Sequence, residues 1–286
     1  MKQSALRVTL LTIAAMIAFA SNSLLNRLAL GQEAIDAVSY TTIRLISGAV
    51  MLFVIAFLQK ENGKDFLRGS WISAACLFLY AIAFSLAYVS LTTGTGALIL
   101  FGSVQLTMLI VAWRSGERPH ILEWIGLFLA LGGLVYLVFP GLSAPPLLSS
   151  ALMVIAGISW GFYSIRGRGS QNPLASTAGN FMFAVPMILV VLLISSQTIS
   201  VSSKGAIYAI ISGALASGLG YVIWYAALRG LTTTRAATVQ LSVPVIAAWS
   251  GVVLLAENVS ARLLIAGVLI LGRIALAVSS RVKKTG

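Results

Sequence analysis

Apolar residues occupy this chain in ten long blocks, and polar and turn-forming residues collect between them. Each block is roughly 20 residues long, enough for a helix to cross a hydrocarbon core. They run over 7–29, 37–58, 70–91, 94–113 and 121–139, then over 147–167, 174–195, 205–228, 235–255 and 261–280. The connections are too short to hold a soluble domain. The stretch richest in turn formers, Phe139-Pro140-Gly141-Leu142-Ser143-Ala144-Pro145-Pro146, falls midway and divides the chain into residues 1–145 and 146–286.

The two halves repeat one another. A shift of about 140 residues lays Leu91-Thr92-Thr93 on Leu231-Thr232-Thr233, Ala97 on Ala237, Glu117 on Glu257 and Gly132 on Gly272. Arg27 aligns with Arg168, Arg44 with Asn180 and Val50 with Pro186. Five spans per copy is an odd number, so the copies must sit upside down relative to each other. Inverted repeats are the sequence mark of secondary transporters, which hold their substrate site between the halves. The expected fold is therefore an all-α integral membrane protein: ten transmembrane helices, as two inverted five-helix repeats around a central cavity.

Composition agrees, with 59% hydrophobic residues, 9% charged residues and a mean hydropathy of +0.98. A net charge of +12 would suggest nucleic acid in a soluble protein. Here 14 of the 19 basic residues fall at the termini or in alternate loops, and this marks one membrane face. By the positive-inside rule that face is cytoplasmic and holds both termini; no nucleic-acid partner is expected. The first apolar stretch continues to Leu30 and has a counterpart in the sixth span, so it is expected to stay as a helix rather than be cleaved as a signal peptide.

The chemistry left out narrows the function. There is no phosphate-binding loop for ATP. The lone Cys76 cannot form an intramolecular disulfide, and the only histidine, His120, lies in a cytoplasmic loop. No metal or cofactor is expected, and no His/Asp/Glu constellation in the spans suggests an enzyme. No Asp or Glu occupies the middle of a span, so the group that usually carries a coupling proton is missing. Downhill, uncoupled movement of substrate is expected.

Two arginines enter the membrane. Arg44 lies about 12 Å inside the outer end of its helix if Asp36 marks that end; it suits either snorkelling or reception of a substrate carboxylate. Arg273, where the first repeat has Gly133, reads as a snorkelling side chain. The other candidates are polar or aromatic groups at depth: Ser21, Asn22, Tyr80, Tyr88, Gln105, Trp160, Tyr163, Asn180, Tyr225 and Gln240, with Ser23 and Trp249 beside them. Amides unpaired in hydrocarbon are costly, so these groups should face a neighbour or a watery cavity. As a set they fit a small zwitterion better than a bare ion. Pro186 and Pro244, each midway along a span, are candidate hinges.

These residues resemble a known family. The ten spans, the segment Ala18-Phe19-Ala20-Ser21-Asn22 with its counterpart Ser159-Trp160-Gly161-Phe162-Tyr163, and Val243-Pro244-Val245 leading to Glu257 are similar to the EamA-type members of the drug/metabolite transporter superfamily. Among these they look most like the YddG-type bacterial amino-acid exporters, which have a cavity aromatic where Trp160 falls. The resemblance implies a basket of helices 1 to 4 and 6 to 9, with helices 5 and 10 peripheral. It also implies a multi-pass protein of the bacterial inner membrane that exports amino acids, aromatic or broadly neutral. A drug or other metabolite exporter of the same fold is the nearest alternative, and a pore or lipid scramblase a more distant one. The partners expected are the amino-acid substrate and the surrounding membrane lipids, and the sequence leaves the oligomeric state open, a monomer being compatible with it.

Overall fold

The computed structural model describes residues 5–59, 69–116, 125, 128, 129, 132, 133, 135–137, 144–195 and 199–269. Nine helical pieces carry the architecture: α1 (Ala5–Leu30), α2 (Ala37–Leu58), α3 (Trp71–Tyr88), α4 (Thr93–Arg114), α5 (Leu147–Gly167), α6 (Pro173–Ile194), α7 (Ser203–Leu228), α8 (Thr233–Gln240) and α9 (Ser242–Leu255). With α8 and α9 taken together, these supply eight spans long and apolar enough to cross a bilayer. The fifth expected span lies mostly outside the described residues, and Arg273, His120 and the end of the tenth span lie outside them altogether.

Helix starts follow local chemistry. The Asp36 carboxylate accepts the Ser39 N–H at 2.8 Å and opens α2. Asn172 Oδ1 accepts from Ala175 N, with Pro173 just inside α6, where its missing N–H costs nothing. Ser202 and Thr232 cap α7 and α8 in the same way. For α4 the cap comes from the other repeat: the Glu257 carboxylate takes the Thr93 N–H at 2.8 Å and the Thr93 hydroxyl at 3.1 Å.

The packing has the symmetry of the repeat. α3 and α4 rest on α5, as α7 and α9 rest on α1; α2 meets α7 as α6 meets α3; and α2–α6 and α4–α9 each pair with their own counterpart. Exchanging α1 for α5, α2 for α6, α3 for α7 and α4 for α8–α9 turns each contact into another of the set. This pattern is what two interlocked, inverted copies require.

Two departures from regular helix are confined to the second repeat. The middle of α7, Ser212–Leu219, is π-helical, a widening that often marks functional positions. It lies where α2 comes closest. A methyl on Gly213 would overlap the Arg44 carbonyl and the Ser47 hydroxyl, so only glycine permits this approach. The ninth span breaks at Leu241 between α8 and α9, three residues before Pro244, which cannot donate the bond that would carry the helix through. Pro186, by contrast, sits within an uninterrupted α6.

Candidate substrate site between the repeats

The middle of the molecule is a closed cluster of rings. Phe19 of α1 meets Trp160 of α5 edge-on at 5.1 Å between centroids, and the Tyr80 and Tyr221 hydroxyls of α3 and α7 lie 3.3 Å apart. Both pairs are separated by 141 positions, as are Arg27 and Arg168, so each joins a residue to its own repeat counterpart. The pairs interlock, with Trp160 at 5.0 Å from Tyr80 and Phe19 at 6.0 Å from Tyr221. Four rings thus surround the pseudo-twofold axis. Tyr163, stacked on Trp160 at 5.4 Å, and Trp224, edge-on to Phe19 at 5.6 Å, extend the cluster.

Polar groups fix these rings. Trp160 Nε1 donates to Gln240 Oε1 at 2.9 Å, and Gln240 donates in turn to the Ala236 carbonyl. Trp224 Nε1 donates to Ser164, and Tyr225 Oη donates to the Tyr163 carbonyl. On the other flank Arg44 is 1% exposed. Its Nε donates to Ser217 Oγ at 2.9 Å, its Nη2 to Tyr221 Oη at 2.8 Å and Tyr80 Oη at 3.2 Å, and its guanidinium carbon stands 5.3 Å from both the Tyr80 and Phe84 rings. Ser217 and Ser212 both donate to Asn22 Oδ1. Arg44 therefore does not snorkel.

The structure gathers most of the sequence candidates here. Trp160, Tyr163, Tyr80, Tyr225, Gln240, Asn22 and Arg44 join this continuous buried cluster, and Gln105 is buried on α4, which packs against α5 and α9. Asn180 and Tyr88 are buried too, but stand towards opposite ends. Asn180 accepts the Ser70 N–H at the start of α3, and Tyr88 donates to the Thr93 carbonyl at the start of α4. Ser21 faces away from the cluster, its hydroxyl returned to the Ile17 carbonyl one turn back, as serines in apolar helices commonly do. Trp249, expected at depth, is 67% exposed on the outer face of the bundle. Ser23 is buried without a partner for its hydroxyl.

Sequence reasoning missed Phe19, Tyr221, Trp224, Ser212 and Ser217. The 141-residue offset pairs Phe19 with Trp160 and Tyr221 with Tyr80, so the repeat carried the signal for both. Ser217 has Cys76 as its counterpart, and nothing in the repeat announces its role.

Both ends of the cluster are tied among the described residues. At the end holding the α1–α2 loop, Arg27 pairs with Glu257 at 3.3 Å and donates to the Val89 carbonyl. There, too, Asp36 N donates to the Ser200 carbonyl, Ser200 N to the Asp36 carboxylate and Ser202 N to the Ala34 carbonyl. Partial burial would raise the Asp36 pKa, but the hydrogen bonds from Ser39 and Ser200 outweigh it and hold the carboxyl below its ordinary value. At the opposite end Arg166 donates to Ser73 and Ser70, and Arg168 to Thr233. The two carboxylates described at span ends are thus committed to structural contacts, and α1 to α9 contain neither Asp nor Glu. Residues Gly94, Leu98, Pro244, Ala248, Leu263 and Gly267 line a separate apolar groove of about 480 Å³ beside the helix break.

The EamA-like transporter family matches residues 6–139 and again residues 147–279. The chain belongs to this family. An uncharacterized protein of Pseudomonas aeruginosa is 51% identical over 96% of both chains. The Bacillus subtilis protein named "Uncharacterized transporter YoaV" is 21% identical, over 84% of this chain and 86% of its own. A Salmonella typhimurium protein named "Probable amino-acid metabolite efflux pump" is 26% identical, over 72% of this chain and 74% of its own. A solved structure superposes with a TM-score of 0.71 at 18% identity, covering 96% of this chain and 98% of that one, and shares the fold. This EamA-like transporter is therefore a multi-pass membrane protein built from two copies of one repeat, and its ring cluster lies where the copies meet.

Proposed function

We propose that this transporter exports amino acids, aromatic or broadly neutral, and related metabolites by alternating access across the bacterial inner membrane, as an uncoupled uniporter. The observation that carries the reading is the buried centre itself. Rings and neutral hydrogen-bonding groups from both repeats converge on the pseudo-twofold axis, with one fixed positive charge and no carboxylate from any described helix. Rings accommodate an apolar or aromatic side chain, and Gln240, Asn22 and the tyrosine hydroxyls offer bonds to a zwitterion's polar end. The name of the Salmonella typhimurium relative supports the substrate class. The groups that a cationic drug would need, carboxylates at depth, are absent from the described helices.

Coupling to protons requires a group whose protonation changes as access alternates. Arginine cannot release its proton at working pH, and the Gln and Asn amides cannot carry one. In liposomes, saturable equilibration of a neutral amino acid is expected with no gradient, together with counterflow. An imposed pH gradient should add no accumulation. Uphill accumulation abolished by a protonophore would overturn the uniporter reading, and non-saturable flux would favour a pore.

The distribution of basic residues supports a topology with both termini in the cytoplasm and the loop around Pro145 outside. Single cysteines introduced at Lys64 or Arg118 should resist an impermeant thiol reagent in intact cells, and one at Pro145 should react. The opposite pattern would invert the topology.

A further inference from the structure

The Arg44 network leaves two donors without acceptors, and no carboxylate among the described residues offsets its charge. Arg44 Nη1 is buried with no hydrogen-bond partner, and so is Asn22 Nδ2. The two belong to one network, because Ser217 accepts from Arg44 and donates to Asn22. The hydroxyls that accept from Arg44 are already engaged: Tyr221 donates to Tyr80, and Ser217 donates to the Asn22 carbonyl oxygen, which it shares with Ser212. Turning the Asn22 amide over moves the shortage without relieving it. The sole ion pair among the described residues, Arg27–Glu257, lies elsewhere.

A guanidinium removed from water is costly unless paired with an anion and fully hydrogen-bonded. Ionisable groups held within membrane spans characteristically mark substrate pathways. Rings that face a guanidinium soften the cost but bring no negative charge and no acceptor oxygen, so they do not replace a counter-ion. What the network lacks is a small anion with several acceptor oxygens, and the planar fork of arginine matches a carboxylate in particular. The surrounding protein is arranged to place this charge. Gly213 lets the α2 backbone lie against the π-helical segment, and that segment carries Ser212 and Ser217 to Asn22. Tyr80 links the network to Trp160, so a molecule whose carboxylate reached Arg44 would set its remaining atoms among the rings.

Building on the carrier reading above, we propose that Arg44, with Asn22 and Tyr80, binds the carboxylate of the transported substrate when the ring cluster opens. Recognition is then centred on the carboxylate, and an α-ammonium group is tolerated against aromatic faces rather than paired with an acid.

The test compares L-phenylalanine with phenylalaninamide, and phenylacetate with phenylacetamide, as ligands in thermal unfolding of the purified protein and as competitors in liposome counterflow. Each carboxylate is expected to act at least tenfold more strongly than its amide. Arg44→Gln should abolish that preference. Because Arg44→Gln could unfold the protein, Asn22→Asp provides the second variant. Its carboxylate keeps the bonds from Ser212 and Ser217 and brings a negative charge one hydroxyl away from the guanidinium, so the site supplies its own anion. Asn22→Asp should stay folded, with an unfolding midpoint at or above that of the wild type, and its KM for phenylalanine should rise at least tenfold. A merely structural Arg44 would leave that KM unchanged. Equal potency of acid and amide, or wild-type KM in a folded Asn22→Asp protein, would overturn the proposal. If phenylacetate stabilises the protein but no amino acid crosses, the carboxylate site stands and the amino-acid reading fails.

Discussion

Replacing Trp160 with alanine should lower transport of aromatic substrates by more than tenfold and also lower the unfolding temperature. Trp160 touches Phe19, Tyr80, Tyr163 and Tyr221, with centroids between 4.6 and 5.4 Å, and donates to Gln240. Truncating so large a buried ring typically costs about 3–5 kcal/mol, because the cavity refills only in part. The bonds that tie Gln240 and the ring cluster would go with it, and the two repeats would lose their meeting point. Trp160→Phe keeps most of the ring contact and gives up only the bond to Gln240. It should fold like the wild type and lose a few-fold in transport. Initial rates of counterflow in liposomes, together with thermal unfolding in detergent, would check both. A folded Trp160→Ala protein with wild-type kinetics would remove this residue from the site.

A single methyl at Gly213 should also have a large effect, by a different route. An ideal Cβ there collides with the Arg44 carbonyl, a backbone atom that cannot rotate aside, and with the Ser47 hydroxyl. α2 and α7 must then separate. Overpacking of this kind costs about 1–3 kcal/mol. Separation also moves Ser217 from Arg44, whose other partners are two tyrosine hydroxyls. Gly213→Ala should therefore lower the unfolding midpoint by several degrees and reduce transport. Gly132 makes the comparison: no described residue lies within 4 Å of an added Cβ there, so Gly132→Ala should be neutral or slightly stabilising, as alanine favours helix by up to about 1 kcal/mol. Equal unfolding midpoints for the two variants would show that the α2–α7 approach is not as close as described.

Span existence and position were legible in the sequence for a simple reason. Hydrocarbon admits lipid-exposed backbone only as helix or closed barrel, and about 20 apolar residues in a row, far longer than a barrel strand, leave helix as the choice. The block read at 37–58 is α2 residue for residue, and that at 147–167 is α5. The repeat was equally plain, and it carried the symmetry that pairs Phe19 with Trp160 and Tyr80 with Tyr221.

Which polar residues meet depends on how the helices pack. Ser21 and Asn22 are adjacent in sequence and alike in polarity, yet a rotation of about 100° along the helix sends one back to its own backbone and the other into the Arg44 network. Trp249 and Trp160 read alike in the chain, but one faces outwards and the other fills the axis. The π-helical turn in α7 coincides with the close approach of α2, and periodicity within one span does not encode that distance. Snorkelling or burial of Arg44 was open in the sequence because the choice rests on three hydroxyls from α3 and α7, brought to α2 by packing alone. The spacing of the apolar blocks is enough to tell that this chain crosses the membrane many times, by one plan used twice. The packing of the two copies sets where the buried Arg44 charge waits, because hydrophobicity sets depth while only neighbours set direction.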